Sequence, residues 1–93
     1  MFQKHKRIVD QEVLQKYRGA KCVVCSQSSE PAHIRSRGAS GDDIDDNILA
    51  LCRKHHSESH NIGWAKFCLR YPKVYDELMK KGWIFNNNKL MRK

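Results

Sequence analysis

The sequence predicts an α+β fold in which two short strands are followed by helices and the chain is stapled by metal. Three observations predict it. Cys22-x-x-Cys25 and Cys52-x-x-His55 offer two tight turns with two metal donors each. Two short apolar runs, at residues 32–35 and at Ile48, Leu49, Ala50 and Leu51, flank a loop of Gly, Ser and Asp at 36–47. Beyond residue 53, apolar residues recur at helical spacing up to Lys81.

The elements follow in order. Ile8, Leu14 and Tyr17, with Val9 and Val13, recur every three to four residues, which predicts a helix over 7–18 ended by Gly19. Residues 21–25 hold the first cysteine pair in a turn. The strands at 32–35 and 48–51 come next. From Arg53 to Tyr71 the chain has no proline, and Ile62, Trp64, Phe67, Cys68 and Tyr71 can share one apolar face. Pro72 lacks an N–H, so it breaks or restarts the helix. A further helix then runs to Lys81 with Val74, Tyr75, Leu78 and Met79 inward and Gly82 as its stop. Trp83, Ile84 and Phe85, three asparagines, then Leu90 and Met91 read as a terminal extension or a hairpin. The aromatics Trp64, Phe67, Tyr71, Tyr75, Trp83 and Phe85 make this last third the main packing element.

Ninety-three residues make one domain, 1–93, with a core thin enough to need a staple. The net charge of +8 favours a polyanionic partner, because Lys and Arg displace counterions from phosphates; its plain counterpart is a soluble surface with a basic bias. The positives recur beside the metal-type residues, at Arg35, Arg37, Arg53 and Lys54, and also at Lys4, Lys6, Arg7, Lys80, Lys81, Lys89, Arg92 and Lys93. No apolar run can span a bilayer, and the first residues lack the apolar stretch of a signal peptide, so a cytoplasmic protein without a membrane partner is expected. Cysteines there stay reduced, which favours metal over disulfides. Cys68 reads as a buried free thiol.

Two sites can be assembled from these residues. Cys22, Cys25 and Cys52 with His55 suit a closed structural Zn²⁺ site, with His56 or Cys68 as alternative fourth ligands. His56 and His60 are i and i+4 and share a helix face, a metal-ligand spacing, while His55 lies about 100° around the helix and can serve the other site. A phosphodiester hydrolase needs a base, a divalent ion and a group that holds the base's tautomer. His33 in the first strand, the ion on His56 and His60, and Asn47 at the end of the loop fill these roles. Taken singly, each residue has an ordinary use. A histidine in an apolar strand is usually a core histidine, Asn47 a turn residue or helix cap, Arg35 and Arg37 exposed charges, and the acidic cluster at 42–46 a solvated loop.

Ala32-His33-Ile34, Asp46-Asn47-Ile48-Leu49-Ala50-Leu51-Cys52 and His55-His56-Ser57-Glu58-Ser59-His60 together resemble the consensus of the HNH endonucleases, the ββα-metal family. The resemblance spans Cys22 to Gly63 and is nearest to small phage or prophage HNH proteins with a zinc knuckle. It implies a β-hairpin and helix gripping one divalent ion (Mg²⁺, Mn²⁺, Ni²⁺ or Zn²⁺), flanked here by an N-terminal helix and C-terminal helices. It implies His33 as general base, Asn47 as orienting amide, His56 as metal ligand and His60 as the extra histidine of part of the family. Arg35, Arg37, Arg53 or Lys54 would hold the nucleic-acid backbone. The substrate would be DNA, less often RNA, nicked with weak sequence preference. A phage or recombination protein is a possible partner class, and monomer and dimer stay open.

One position departs from the pattern. The family usually has Asp or His, as a ligand, where this chain has Ala32. Another carboxylate can reach in, either Glu30 on the same strand face or one of Asp42, Asp43, Asp45 and Asp46. Alternatively a bulge puts His33 on the ion, or His56 and His60 hold it with waters. The last two readings rank above the first. Ala32 also supports a different function, a zinc-stapled nucleic-acid-binding module with a degenerate active site. A third reading is a structural or adaptor protein of a phage particle.

Overall fold

The computed structural model describes residues 8–35 and 41–92. Helix α1 spans Gln11–Tyr17, strand β1 Glu30–His33, strand β2 Ile48–Leu51, helix α2 Arg53–Arg70, helix α3 Pro72–Lys80, and strands β3 and β4 Trp83–Asn86 and Lys89–Arg92. A β-hairpin followed by a helix therefore forms the centre, with a second hairpin at the C-terminal end. The α+β class and the ββα order agree with the sequence.

Helix α1 begins later than its apolar spacing predicts. The Asp10 side chain caps it by accepting from Glu12 N and Val13 N at 3.0 and 3.3 Å. Residues before the cap are committed elsewhere: Ile8 N donates to Asp42 Oδ1 at 2.7 Å, and Asp43 N donates to Ile8 O at 2.8 Å. Backbone groups bound to the loop cannot also serve a helix. Of the expected helix, residue 7 lies outside the described residues.

The cysteine turn is held by Ser26 N to Cys22 O at 2.9 Å, with Ser26 at φ 65. Val23 N donates to Ala50 O at 2.9 Å, which docks the turn on β2. Strand β1 pairs antiparallel with β2, Glu30 opposite Leu51 and His33 opposite Ile48. It starts two residues earlier than the apolar run predicts, because Pro31 is tolerated in a two-stranded sheet that has only edges. Ile34 N still bonds Asn47 O at 2.8 Å, so the chain leaves the ladder gradually. The loop residues 36–40, with Arg37, lie outside the described residues.

Helix α2 is two helices joined at Gly63, whose φ of 81 and ψ of 160 few residues except glycine adopt. Trp64 Nε1 donates to Ile34 O at 3.2 Å just past the kink, pinning the second half over the end of β1. Pro72 occupies the first turn of α3, where its missing N–H costs nothing. Asn87 and Asn88, at φ 52 and 65, make the two-residue turn between β3 and β4, which resolves the end of the chain as a hairpin.

One core joins both halves. Phe67, Val74, Leu78 and Trp83 pack with Ala32, Leu49, Leu51 and the zinc-type cysteines Cys22 and Cys52. Burying each large apolar side chain contributes about 1.5–3 kcal/mol, so the hairpin matters as much as the aromatic last third. Cys68 is buried and free, as its helical neighbours predict. Among the described residues no helix is long and apolar enough to cross a membrane.

Candidate active site and metal centre

The cysteine turn and the N-terminus of α2 bring Cys22, Cys25, Cys52 and His55 together, with one donor atom from each inside 4.8 Å of all the others. Cys25 Sγ lies 3.7 Å from Cys52 Sγ, and His55 Nδ1 lies 3.8 Å from Cys22 Sγ and 3.1 Å from Cys52 Sγ. A tetrahedral ion with sulfur at about 2.3 Å and nitrogen at about 2.0 Å spaces its donors roughly 3.5–3.8 Å apart. The Cys25–Cys52 and Cys22–His55 spacings fall at that value and the Cys52–His55 spacing is shorter; the cluster can hold a metal such as zinc, and His55 rather than His56 or Cys68 completes it. Burial pushes the Cys22 thiol up, but N–H groups of Cys52, Cys25 and Val24 outweigh it and bring it below the ordinary thiol value. The Tyr71 and His55 rings meet in a T-shaped contact, 5.2 Å between centroids and 82° between planes. Tyr71 OH in turn donates to Glu58 Oε1 at 2.7 Å, which with Arg70 holds that carboxyl below its usual range.

His56 and His60 form a second group, one turn further along α2. Their Nε2 atoms are 3.2 Å apart. Two nitrogens on one ion stand about 3.0–3.4 Å apart at octahedral to tetrahedral angles, so the pair is spaced for a shared cation. The other nitrogen of His56, Nδ1, lies 2.6 Å from Glu30 Oε2. Glu30 Oε1 is also 3.3 Å from Arg53 Nε, whose side chain is otherwise exposed. An ionised carboxylate only accepts, so Nδ1 carries the proton and Nε2 keeps its lone pair. Glu30 shares the face of β1 with Ala32, as alternation requires. It meets Nδ1 of His56, the nitrogen that faces away from the pair with His60.

His33 faces the loop instead. Its Nε2 lies 2.7 Å from Asp43 Oδ1, and no hydrogen bond joins it to His56 or His60. Asn47 is buried and spends its side chain on backbone: Oδ1 accepts from Arg35 N at 2.8 Å, and Nδ2 donates to Arg35 O at 3.1 Å and Asp42 O at 2.9 Å. It clasps the two ends of the loop that carries Asp43, so any orientation it gives His33 passes through backbone.

The acidic cluster is split: Asp43 is withdrawn from solvent, while Asp45 and Asp46 are exposed and hold surface partners. Asp43 is fully buried. Asp45 takes Tyr17 OH at 2.7 Å and Lys16 Nζ at 2.7 Å, and Asp46 meets Arg92 at 3.0 Å. Sequence reasoning ranked the carboxylates Glu30, Asp42, Asp43, Asp45 and Asp46 together below the other options for Ala32, and did not link Asp43 to His33. The signal for Glu30 was its two-residue offset from Ala32; for Asp43 it was only membership of the acidic loop. Arg35, Arg53 and Lys54 are exposed, Arg35 beyond the His33–Ile48 end of the hairpin and Arg53 and Lys54 beyond its Glu30–Leu51 end.

Residues 3–92 match the family model described as "Putative HNHc nuclease". No curated protein and no solved structure matches the chain.

Proposed function

The chain belongs to that family of HNH nucleases, and on this premise we propose that it is a metal-dependent endonuclease that hydrolyses phosphodiester bonds in DNA. The observation that carries the reading is the His56–His60 pair, two Nε2 atoms 3.2 Å apart with Glu30 on the outer nitrogen of His56. A divalent ion there would neutralise charge on the phosphate and on the departing oxygen. His33 takes the proton of the attacking water through Nδ1, which has no hydrogen-bond partner among the described residues. The new bond is water oxygen to phosphorus, the broken one is phosphorus to the 3′ oxygen, and the ends are 5′-phosphate and 3′-hydroxyl. Asn47 keeps the loop beside His33 closed. Arg35, Arg53 and Lys54, with Arg37, supply backbone contacts that carry no sequence information. Weak specificity and nicking of one strand follow for a lone copy, and the motif wording favours a phage or prophage setting. We also place structural zinc on Cys22, Cys25, Cys52 and His55 and treat 1–93 as one domain.

A second reading, a nucleic-acid-binding module with a degenerate site, is favoured by one observation: Ala32 is fully buried and offers no ligand. Supercoiled plasmid decides between them. The wild type with Mg²⁺, Mn²⁺ or Ni²⁺ should give relaxed circles, EDTA should stop it, and His33→Ala should lower the rate at least 100-fold. A folded wild type that binds DNA and nicks with none of the ions would establish the binding module.

A further inference from the structure

His33 lies 2.7 Å from a carboxylate that is held on both sides. We infer that Asp43 is the positioning residue for His33, fixing the imidazole in the Nε2–H tautomer so that Nδ1 keeps its lone pair for the reacting water; this rests on the nuclease reading above. Asp43 is 0 % exposed and the His33 side chain 11 %. Asp43 Oδ1 takes the His33 ring, and Oδ2 accepts from Asp10 N at 3.0 Å. The backbone on either side is tied as well. Asp43 N donates to Ile8 O at 2.8 Å, and the neighbouring Asp42 O accepts from Asn47 Nδ2 at 2.9 Å. The carboxylate therefore cannot swing away without breaking the contact between residues 8–10 and the loop.

The tautomer follows from what each partner can do. A backbone N–H only donates, so the atom facing Asp10 must accept. An ionised carboxylate only accepts, so His33 Nε2 must donate to it, and the lone pair is left on Nδ1. Asparagine of the same shape cannot satisfy both sides in this way. Its oxygen must face Asp10 N, its amide nitrogen then faces His33, and the imidazole must switch to Nδ1–H to accept that bond. The switched ring presents a donor to the water and cannot take its proton. The segment at residues 8–10 thus contributes to catalysis through one backbone N–H, that of Asp10.

The test is ¹⁵N-resolved histidine NMR of the full-length zinc-loaded protein, together with plasmid nicking. In the wild type, at a pH where His33 is neutral, its Nε2 should carry the proton and Nδ1 should not. Asp43→Asn should invert this pattern and lower the turnover rate about 10²–10⁴-fold, with KM little changed. A wild-type His33 protonated at Nδ1 overturns the inference without any variant, so a failure of Asp43→Asn to fold does not protect it. An Asp43→Asn protein with wild-type turnover overturns it as well. His33→Ala separates the two levels. If it is inactive while Asp43→Asn keeps full rate, only the role of Asp43 falls. If it is fully active, the base assignment falls and the inference with it.

Discussion

At the scale of single residues, the site depends on polar groups that have little freedom. Asn47 satisfies three backbone atoms from a buried position. Asn47→Ala would remove these three hydrogen bonds, at roughly 2–4 kcal/mol, and should lower Tm by about 10–25 °C for a domain of this size. Thermal unfolding followed by circular dichroism checks this, and an unchanged Tm would mean that the clasp is idle. Cys68 makes a different prediction. Burial pushes its thiol up to about 11, so little thiolate exists near neutral pH. In the zinc-loaded native protein, iodoacetamide at pH 8 should leave Cys68 unmodified while labelling it readily in urea, which intact-mass spectrometry resolves. At this scale the sequence was partly legible. Cys22, Cys25, Cys52 and His55 could be read because metal chemistry demands their spacing, and His56 with His60 because helical geometry does. Asp43 could not, since its partners His33 and Asp10 lie ten and thirty-three residues away in the chain and meet it only after folding.

At the scale of elements, the two kinked or turned segments carry the sharpest expectations. Gly63 sits at φ 81, ψ 160, and a Cβ there would meet nothing within 4 Å. Gly63→Ala is then a purely backbone effect and should cost about 1–3 kcal/mol. In the β3–β4 turn, Asn88 at φ 65 occupies the second central position, where glycine is easier. Asn88→Gly should stabilise by about 0.5–1 kcal/mol. Urea unfolding of both variants should move the midpoint in opposite directions. Asp45 ties α1 to the loop. Hydrogen bonds from Lys16 and then Tyr17 hold its carboxyl below the usual range. A depressed folded value means that this support is present above the ordinary carboxylate pKa of about 3.9 and fades as pH falls through the folded value. The elements themselves were read well from periodicity and proline. The boundaries of α1 and β1 shifted because the loop claims the backbone of Ile8 and Asp10 and because an edge strand accepts Pro31, neither of which periodicity encodes.

At the scale of the whole molecule, three of the four donors that could hold a metal, Cys22, Cys52 and His55, are buried, while Cys25 is exposed. Cys22 and Cys52 pack with Phe67, Leu51 and Trp83, so metal binding and folding should be one event. A strong chelator should unfold the chain cooperatively, and acid should do the same as the thiolates protonate. A protein that kept its native circular dichroism without metal would contradict this. The +8 charge predicts DNA binding that weakens steeply with salt. The ββα centre sets the closed cluster and the His56–His60 pair on successive turns of one helix, which lets one be removed without the other.

The most direct test of the account uses that separation. His56→Ala should keep one zinc per chain and a native fold, because His55 and the three cysteines are untouched, yet its rate of plasmid nicking should fall by about 10³-fold or more. A His56→Ala protein that nicks at the wild-type rate with full zinc would show that the His56–His60 site does not hold the catalytic ion.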